Sequence, residues 1–221
     1  MFVKICAITR PEDAVLAADA GADAIGMIFA PSRRQVGIEQ AREIAAAVRG
    51  RVLRFGVFRD HLPHEALDII DAVGLDAAQI HGSETPAQVR EITAGVDAVV
   101  RAMSVDHPQM AIVDDYEVDA LHLDAPVPGS GVPFDWSLIG DVGARRRLIL
   151  AGGLRPDTVA HAIETVKPWG VDAATGTEAS FGVKDPEAVH RFVAEARRAG
   201  VGLVDPHGPL TATSLDAETA R

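Results

Sequence analysis

Short apolar runs rich in β-branched residues alternate along the chain with longer stretches in which Ala, Glu and Arg surround apolar positions three and four residues apart. The first pattern predicts strands near residues 2–8, 23–29, 51–58, 76–81, 97–103, 119–124, 147–151 and 170–175. The second predicts helices near 11–20, 38–48, 62–73, 84–93, 107–114, 135–141, 155–166 and 185–198. Thr9-Arg10-Pro11-Glu12-Asp13 supplies an N-cap candidate, an early proline and first-turn acidic charge, and Thr85-Pro86 and Asp185-Pro186 repeat that grammar. Gly21 and Gly74 stand where a left-handed C-cap is expected. Strict alternation calls for a parallel sheet with crossover helices. Eight repeats within 221 residues fit a closed α/β barrel, a single (β/α)8 TIM barrel, better than an open doubly wound sheet. The barrel is expected over residues 1–200. Residues 201–221 lack sustained apolar periodicity and read as an exposed or disordered extension.

Parallel strands covered by helices should be apolar through their middles, yet polar residues gather at the predicted C-terminal strand ends. Lys4 and Cys6 share a face of the first strand, Gln79 and His81 of the fourth, His122 and Asp124 of the sixth. Arg101 lies near the end of the fifth beside Met103, and Asp172 is on the eighth. Side chains two apart point the same way, so each pair can face the barrel mouth where barrel enzymes place their chemistry. The bland readings stand beside this one. A cysteine in an apolar strand is usually an inert core residue, Asp124 could cap the next loop, and His81 could belong to an ordinary turn. Gln79 is harder to set aside, because a buried amide must find hydrogen-bond partners.

Charge and composition narrow the partners. A formal net charge of −11 with no basic stripe argues against nucleic acid. A local Arg and helix N-termini still suffice to bind a small phosphate. Cys6 is the single cysteine, so neither an intrachain disulfide nor an all-cysteine metal cluster can form. His61 and His64 have a helical spacing but no matching third ligand, and no metal site is assigned. No run approaches the ~18 apolar residues of a membrane span, and Met-Phe-Val-Lys-Ile-Cys leads into a strand rather than a signal peptide. The expectation is a cytoplasmic protein with a small-molecule partner, as a monomer or homodimer.

Ala151-Gly152-Gly153-Leu154 closes the seventh predicted strand and Thr175-Gly176-Thr177-Glu178 the eighth. Barrels often hold phosphate in these two loops through backbone N–H groups, which makes Gly152, Gly153, Gly176 and Thr177 phosphate-binding candidates. Gly129-Ser130-Gly131 after the sixth strand suits either a lid or a plain flexible connection.

The segments VKICAITRPEDA, GADAIGMIFAPSRRQV, GVF, AAQIHG, LHLDA, GSGVPFDW, LAGGLRPDTV, GVDAATGTE and FGVKD occur in an order and spacing that resembles the phosphoribosylanthranilate isomerase family, from Val3 to about Ala199. The resemblance implies an Amadori rearrangement of an N-ribosyl anthranilate phosphate, with no cofactor. It implies Cys6 as general base, Asp124 as general acid, Arg34 on the anthranilate side, Asp172 near the substrate amine, and the glycine turns on the phosphate. A thiolate at Cys6 needs a lowered pKa, which Lys4 can assist, and an acid at Asp124 needs a raised one. The chain departs from the family pattern at Ala7, where Gly is common, and at Thr158, where Asn is common. It also has Ala173-Ala174-Thr175 in place of Val-Ser-Ser and Arg59-Asp60 in place of Val-Asn. Two rivals are a histidine-pathway isomerase, disfavoured because that family usually has Asp at the base position, and a non-catalytic sugar-phosphate binder.

Overall fold

The computed structural model describes residues 1–125, 136–139, 142–203 and 210. Eight parallel strands, β1 (Phe2–Ile5), β2 (Ala24–Ile28), β3 (Leu53–Phe58), β4 (Ala77–Ile80), β5 (Ala98–Ser104), β6 (Ala120–Asp124), β7 (Leu148–Leu150) and β8 (Gly170–Ala173), pair in chain order. Pairing of β8 with β1 closes the barrel. Helices α1 (Pro11–Asp19), α2 (Ile38–Ala47), α3 (Pro63–Val73), α4 (Pro86–Thr93), α5 (Val142–Arg145) and α6 (Val159–Val166) lie between barrel strands, and α7 (Pro186–Ala199) follows the last. Among the described residues, no helix is long and apolar enough to cross a membrane.

The pleat divides each strand's side chains between two environments. Val3, Ile5, Ile25, Met27, Phe58, Ile80, Val99, Leu121, Leu150 and Val171 point outward into the layer between barrel and helices. There they meet Ala14, Ile44, Ile70, Val89, Ile163 and Phe192 of the helices. Inside the barrel, Phe2, Ala24, Leu53, Phe55, Ala77, Ala98, Val100, Ala120 and Ile149 form a second apolar cluster. Trp169 stacks on Phe2 at 4.6 Å between ring centroids, and Leu210 packs against the same cluster. Two residues further along several of these strands, the inward positions become Lys4, Gln79, His122 and Asp172.

Local signals explain most boundaries. Thr85 forms a capping box with Gln88 at the start of α4, and the Asp185 side chain accepts from the Ala188 N–H at the start of α7. Gly74 ends α3 in the left-handed conformation. Thr9 does not cap α1; its hydroxyl donates to the Gly182 carbonyl at 2.6 Å, and Arg10 occupies the N-cap position without a side-chain capping bond. The helix expected near 107–114 is 3-10 over Pro108–Asp115, kinked at Ile112. Only Val113 is buried there, so no apolar stripe exists to hold an α-helix against the barrel. The helix expected near 135–141 is a 3-10 turn, Trp136–Ile139, followed by the short α5. An unexpected hairpin, β9 (Glu178–Ser180) and β10 (Val183–Lys184), follows β8. Gly129-Ser130-Gly131 and most of the 201–221 extension lie outside the described residues.

Candidate active site

A cavity of about 630 Å³ opens at the C-terminal ends of the strands. Cys6, Gln79, His81, His122, Asp124 and Asp172 line it. The glycines Gly152, Gly153 and Gly176 form another part of its wall, and Arg34 another.

The floor is an ionic network built by strand register. Lys4 on β1 sits opposite Asp172 on β8. Its Nζ donates to Asp172 Oδ2 at 2.7 Å, with both side chains almost wholly buried. His122 Nε2 lies 2.8 Å from the same oxygen. Burial alone would raise the Asp172 carboxyl, but Lys4 and His122 outweigh it and hold its pKa down to about 2. A carboxylate only accepts, so His122 Nε2 is the N–H donor. Burial likewise opposes charge on Lys4, yet Asp172 and Cys6 keep its pKa above the ordinary value. Gln79 Oε1, His122 Nδ1 and Asp172 Oδ1 are buried without a protein partner, so a ligand in the cavity has polar groups to satisfy.

The two acid–base candidates sit above this floor. Burial pushes the Asp124 carboxyl up, against the pull of His122 and of the Ala125 N–H, which donates to Asp124 Oδ1 at 2.7 Å. The expected raised pKa is therefore present. The Cys6 thiol behaves otherwise: burial pushes it up, and although Lys4 pulls it down, the net direction is upward. His81 is driven down to about 3, chiefly by burial and then by His122 and Arg101, and is neutral near pH 7.

Space around Cys6 is set by two small residues. A Cβ on Gly26 of β2 would lie 2.6 Å from Cys6 Sγ and 3.1 Å from Lys4 Nζ, so the neighbouring strand must carry glycine there. Ala7, next in the chain, is held at φ 61°, a left-handed conformation that explains why glycine is common at this position in the family it resembles. After β8, a Cβ on Gly176 would fall 1.9 Å from the Leu154 carbonyl oxygen. The loops after β7 and β8 thus approach too closely for any side chain.

The structure places two expected site residues, Arg101 and Thr177, away from the cavity and gives a third, Arg34, a partner. Arg101 does not line the cavity, because it shares pleat parity with the outward Val99. Its guanidinium is fully buried and donates to the Ile80, Gly82 and Ala102 carbonyls and to Gln109, bracing the loop after β4. Thr177 is also buried away from the cavity, with its hydroxyl and its N–H both donating to the Ala174 carbonyl. Arg34 reaches the wall but is not free: Nε and Nη2 donate to the two oxygens of Glu178, each at 2.7 Å. Glu178, Phe181 and Lys184 were missed as participants. The only signal was that TGTE and FGVKD follow the last strand closely, leaving room for a hairpin folded back over the mouth.

An α/β barrel with buried acid–base groups at its C-terminal mouth is the class that this fold and site define. A family model described as N-(5'phosphoribosyl)anthranilate (PRA) isomerase matches residues 3–195, and the chain belongs to that family. It is 44% identical over 202 residues to the N-(5'-phosphoribosyl)anthranilate isomerase of Rubrobacter xylanophilus, covering 88% of this chain and 98% of that protein. It superposes on the phosphoribosyl anthranilate isomerase of Thermotoga maritima with a TM-score of 0.83 and 38% identity, over 90% of this chain and 99% of that one. A phosphoribosyl anthranilate isomerase in complex with reduced 1-(o-carboxyphenylamino)-1-deoxyribulose 5-phosphate matches with a TM-score of 0.80 and 37% identity, over 90% of this chain and 99% of that one.

Proposed function

We propose that the chain rearranges N-(5'-phosphoribosyl)anthranilate to 1-(2-carboxyphenylamino)-1-deoxyribulose 5-phosphate, with Asp124 as general acid and Cys6 as general base. The observation that carries this is the placement of both groups in one cavity, on β1 and β6, with burial raising the Asp124 carboxyl. Asp124 gives its proton to the furanose ring oxygen as the C1–O bond breaks, and the amine lone pair forms the C1=N iminium. That cation acidifies C2. The Cys6 thiolate removes the C2 proton, the C–H electron pair forms C1=C2, and the nitrogen becomes neutral. Tautomerisation of this enolamine, with the C2 hydroxyl proton lost and a proton gained at C1, gives the ketone. Solvent exchange then returns Asp124 and Cys6 to their starting protonation states.

The network beneath serves these steps. Lys4 is the cation nearest the developing thiolate, which offsets part of the burial that opposes it. Asp172 carries a carboxylate whose unpaired Oδ1 suits the substrate amine and its iminium. Gly152, Gly153 and Gly176 offer backbone to the phosphate at the ends of β7 and β8, and Arg34 suits the aryl carboxylate. A productive ionisation pairs a thiolate with a neutral carboxyl. Because the carboxyl is the stronger acid, only a minority of molecules hold that pair at any pH. The pH profile of kcat/KM is therefore a bell.

The test is a fluorescence assay on freshly generated phosphoribosylanthranilate, whose emission disappears on rearrangement. Turnover by the wild-type chain supports the proposal. No turnover by folded protein, with turnover of the histidine-pathway substrate instead, would transfer the site to that reaction.

A further inference from the structure

We infer that Glu178 is a positioning residue for Arg34, setting the guanidinium so that its remaining edge takes the carboxylate of an aryl amine. The inference deepens the isomerase reading above and rests on it. An arginine presents five N–H donors in a rigid fork, on a long stem with many rotamers. Glu178 occupies the Nε and Nη2 side of that fork with two 2.7 Å bonds. The Glu178 side chain is 5% exposed and does not line the cavity, whereas Arg34 does. The carboxylate therefore grips the guanidinium from behind, and the Nη1 edge is left for the cavity side. Phe181 closes one more freedom, its ring centroid lying 4.1 Å from Arg34 Cζ and 4.0 Å from Arg33 Cζ.

The hairpin carrying both residues is tied down at several points. Thr9 on the first loop donates to Gly182 at its turn. Lys184 at its far end is buried, and its Nζ donates to the Ala174 carbonyl at 2.8 Å, in the turn that also contains Gly176. One hairpin thus braces both the arginine and the turn that carries Gly176. With Glu178 neutralising Arg34, recognition of an aryl carboxylate comes from the geometry of the fork more than from net positive charge.

The experiment compares wild type, Glu178→Gln, Arg34→Met and the double variant on two substrates, phosphoribosylanthranilate and its carboxyl-free analogue phosphoribosylaniline. Glu178→Gln is expected to raise KM about tenfold on the carboxylated substrate, with kcat changed less than about threefold. On the aniline substrate the KM ratio should fall to about one, and in the Arg34→Met background Glu178→Gln should add nothing. An unchanged or lowered KM would overturn the inference, the latter making Glu178 a competitor of the substrate carboxylate. Equal losses on both substrates would overturn it in favour of a purely structural hairpin. Should Glu178→Gln not fold, Glu178→Asp keeps the charge and shortens the grip, and must show the same substrate dependence or the inference fails. Absence of wild-type turnover would defeat the isomerase reading itself, and this inference with it.

Discussion

The lower and upper halves of the barrel interior are built from the same strands and the same pleat positions, yet they have opposite characters. Below, Phe2, Leu53, Phe55, Ala77, Val100, Ala120 and Ile149 pack as an apolar plug. Two residues higher, Lys4, Gln79, His122 and Asp172 put two charges and several unpartnered atoms into an equally buried space. Apolar side chains there would stabilise the fold more, since replacing buried ion pairs by packed apolar groups is often neutral or stabilising. The upper half is thus arranged for chemistry at a cost in stability, and the lower half carries the fold.

The largest expected effect comes from Lys4→Met, which leaves Asp172 charged and buried with only His122 beside it. Loss of about 3–5 kcal/mol is expected from denaturant melts. Lys4 lowers the Cys6 pKa, so its removal should also move the basic limb of the kcat/KM profile to higher pH. Ile149→Ala in the plug should cost a comparable ~2–5 kcal/mol while leaving kcat/KM near wild type at temperatures where the variant is folded. Equal losses of activity from both variants would erase the division between the halves.

Gly26→Ala should act the other way. Its methyl collides with Cys6 Sγ, and a displacement of the base by about 1 Å costs on the order of 10²-fold in kcat. Steady-state rates beside thermal melts check this.

Acid should attack the upper half first. Asp172 has a depressed pKa of about 2, so its stabilisation is full above the unfolded value near 3.8 and is lost as pH falls through about 2. His81, depressed to about 3, resists protonation in the fold, so stability also declines as pH falls from 6.5 towards 3. His81→Gln should flatten melting temperature against pH over that upper window and leave the lower one intact.

The smallest effect is expected at Ala7. Glycine there would relieve a left-handed backbone costing about 1–2 kcal/mol, less the extra unfolded-state entropy of glycine of about 0.4–1 kcal/mol. Ala7→Gly should raise stability by at most about 1.6 kcal/mol, measurable by denaturant titration.

The barrel itself was legible because its signals are local: alternating runs, proline starts and capping residues each sit within a few positions of the element they define. The floor was legible for a related reason. Pleat parity puts Lys4 with Cys6 and His122 with Asp124 wherever the strands run. Parity also contained the answer for Arg101, which alternates with Val100 and Ala102 and so faces outward; being polar near a strand end was the weaker guide. The Arg34–Glu178 pair spans 144 positions, and nothing local in either segment announces a partner so distant. Nor does the Cys6 motif reveal burial strong enough to outweigh Lys4.

The most direct test is single-turnover consumption of phosphoribosylanthranilate by Cys6→Ala and Asp124→Asn, each first shown by melting to be folded. Both groups are predicted to be required, with rates falling at least about 10²–10⁴-fold while substrate still binds. A folded Cys6→Ala variant that turned over within tenfold of wild type would contradict the assignment of the base and, with it, the mechanism.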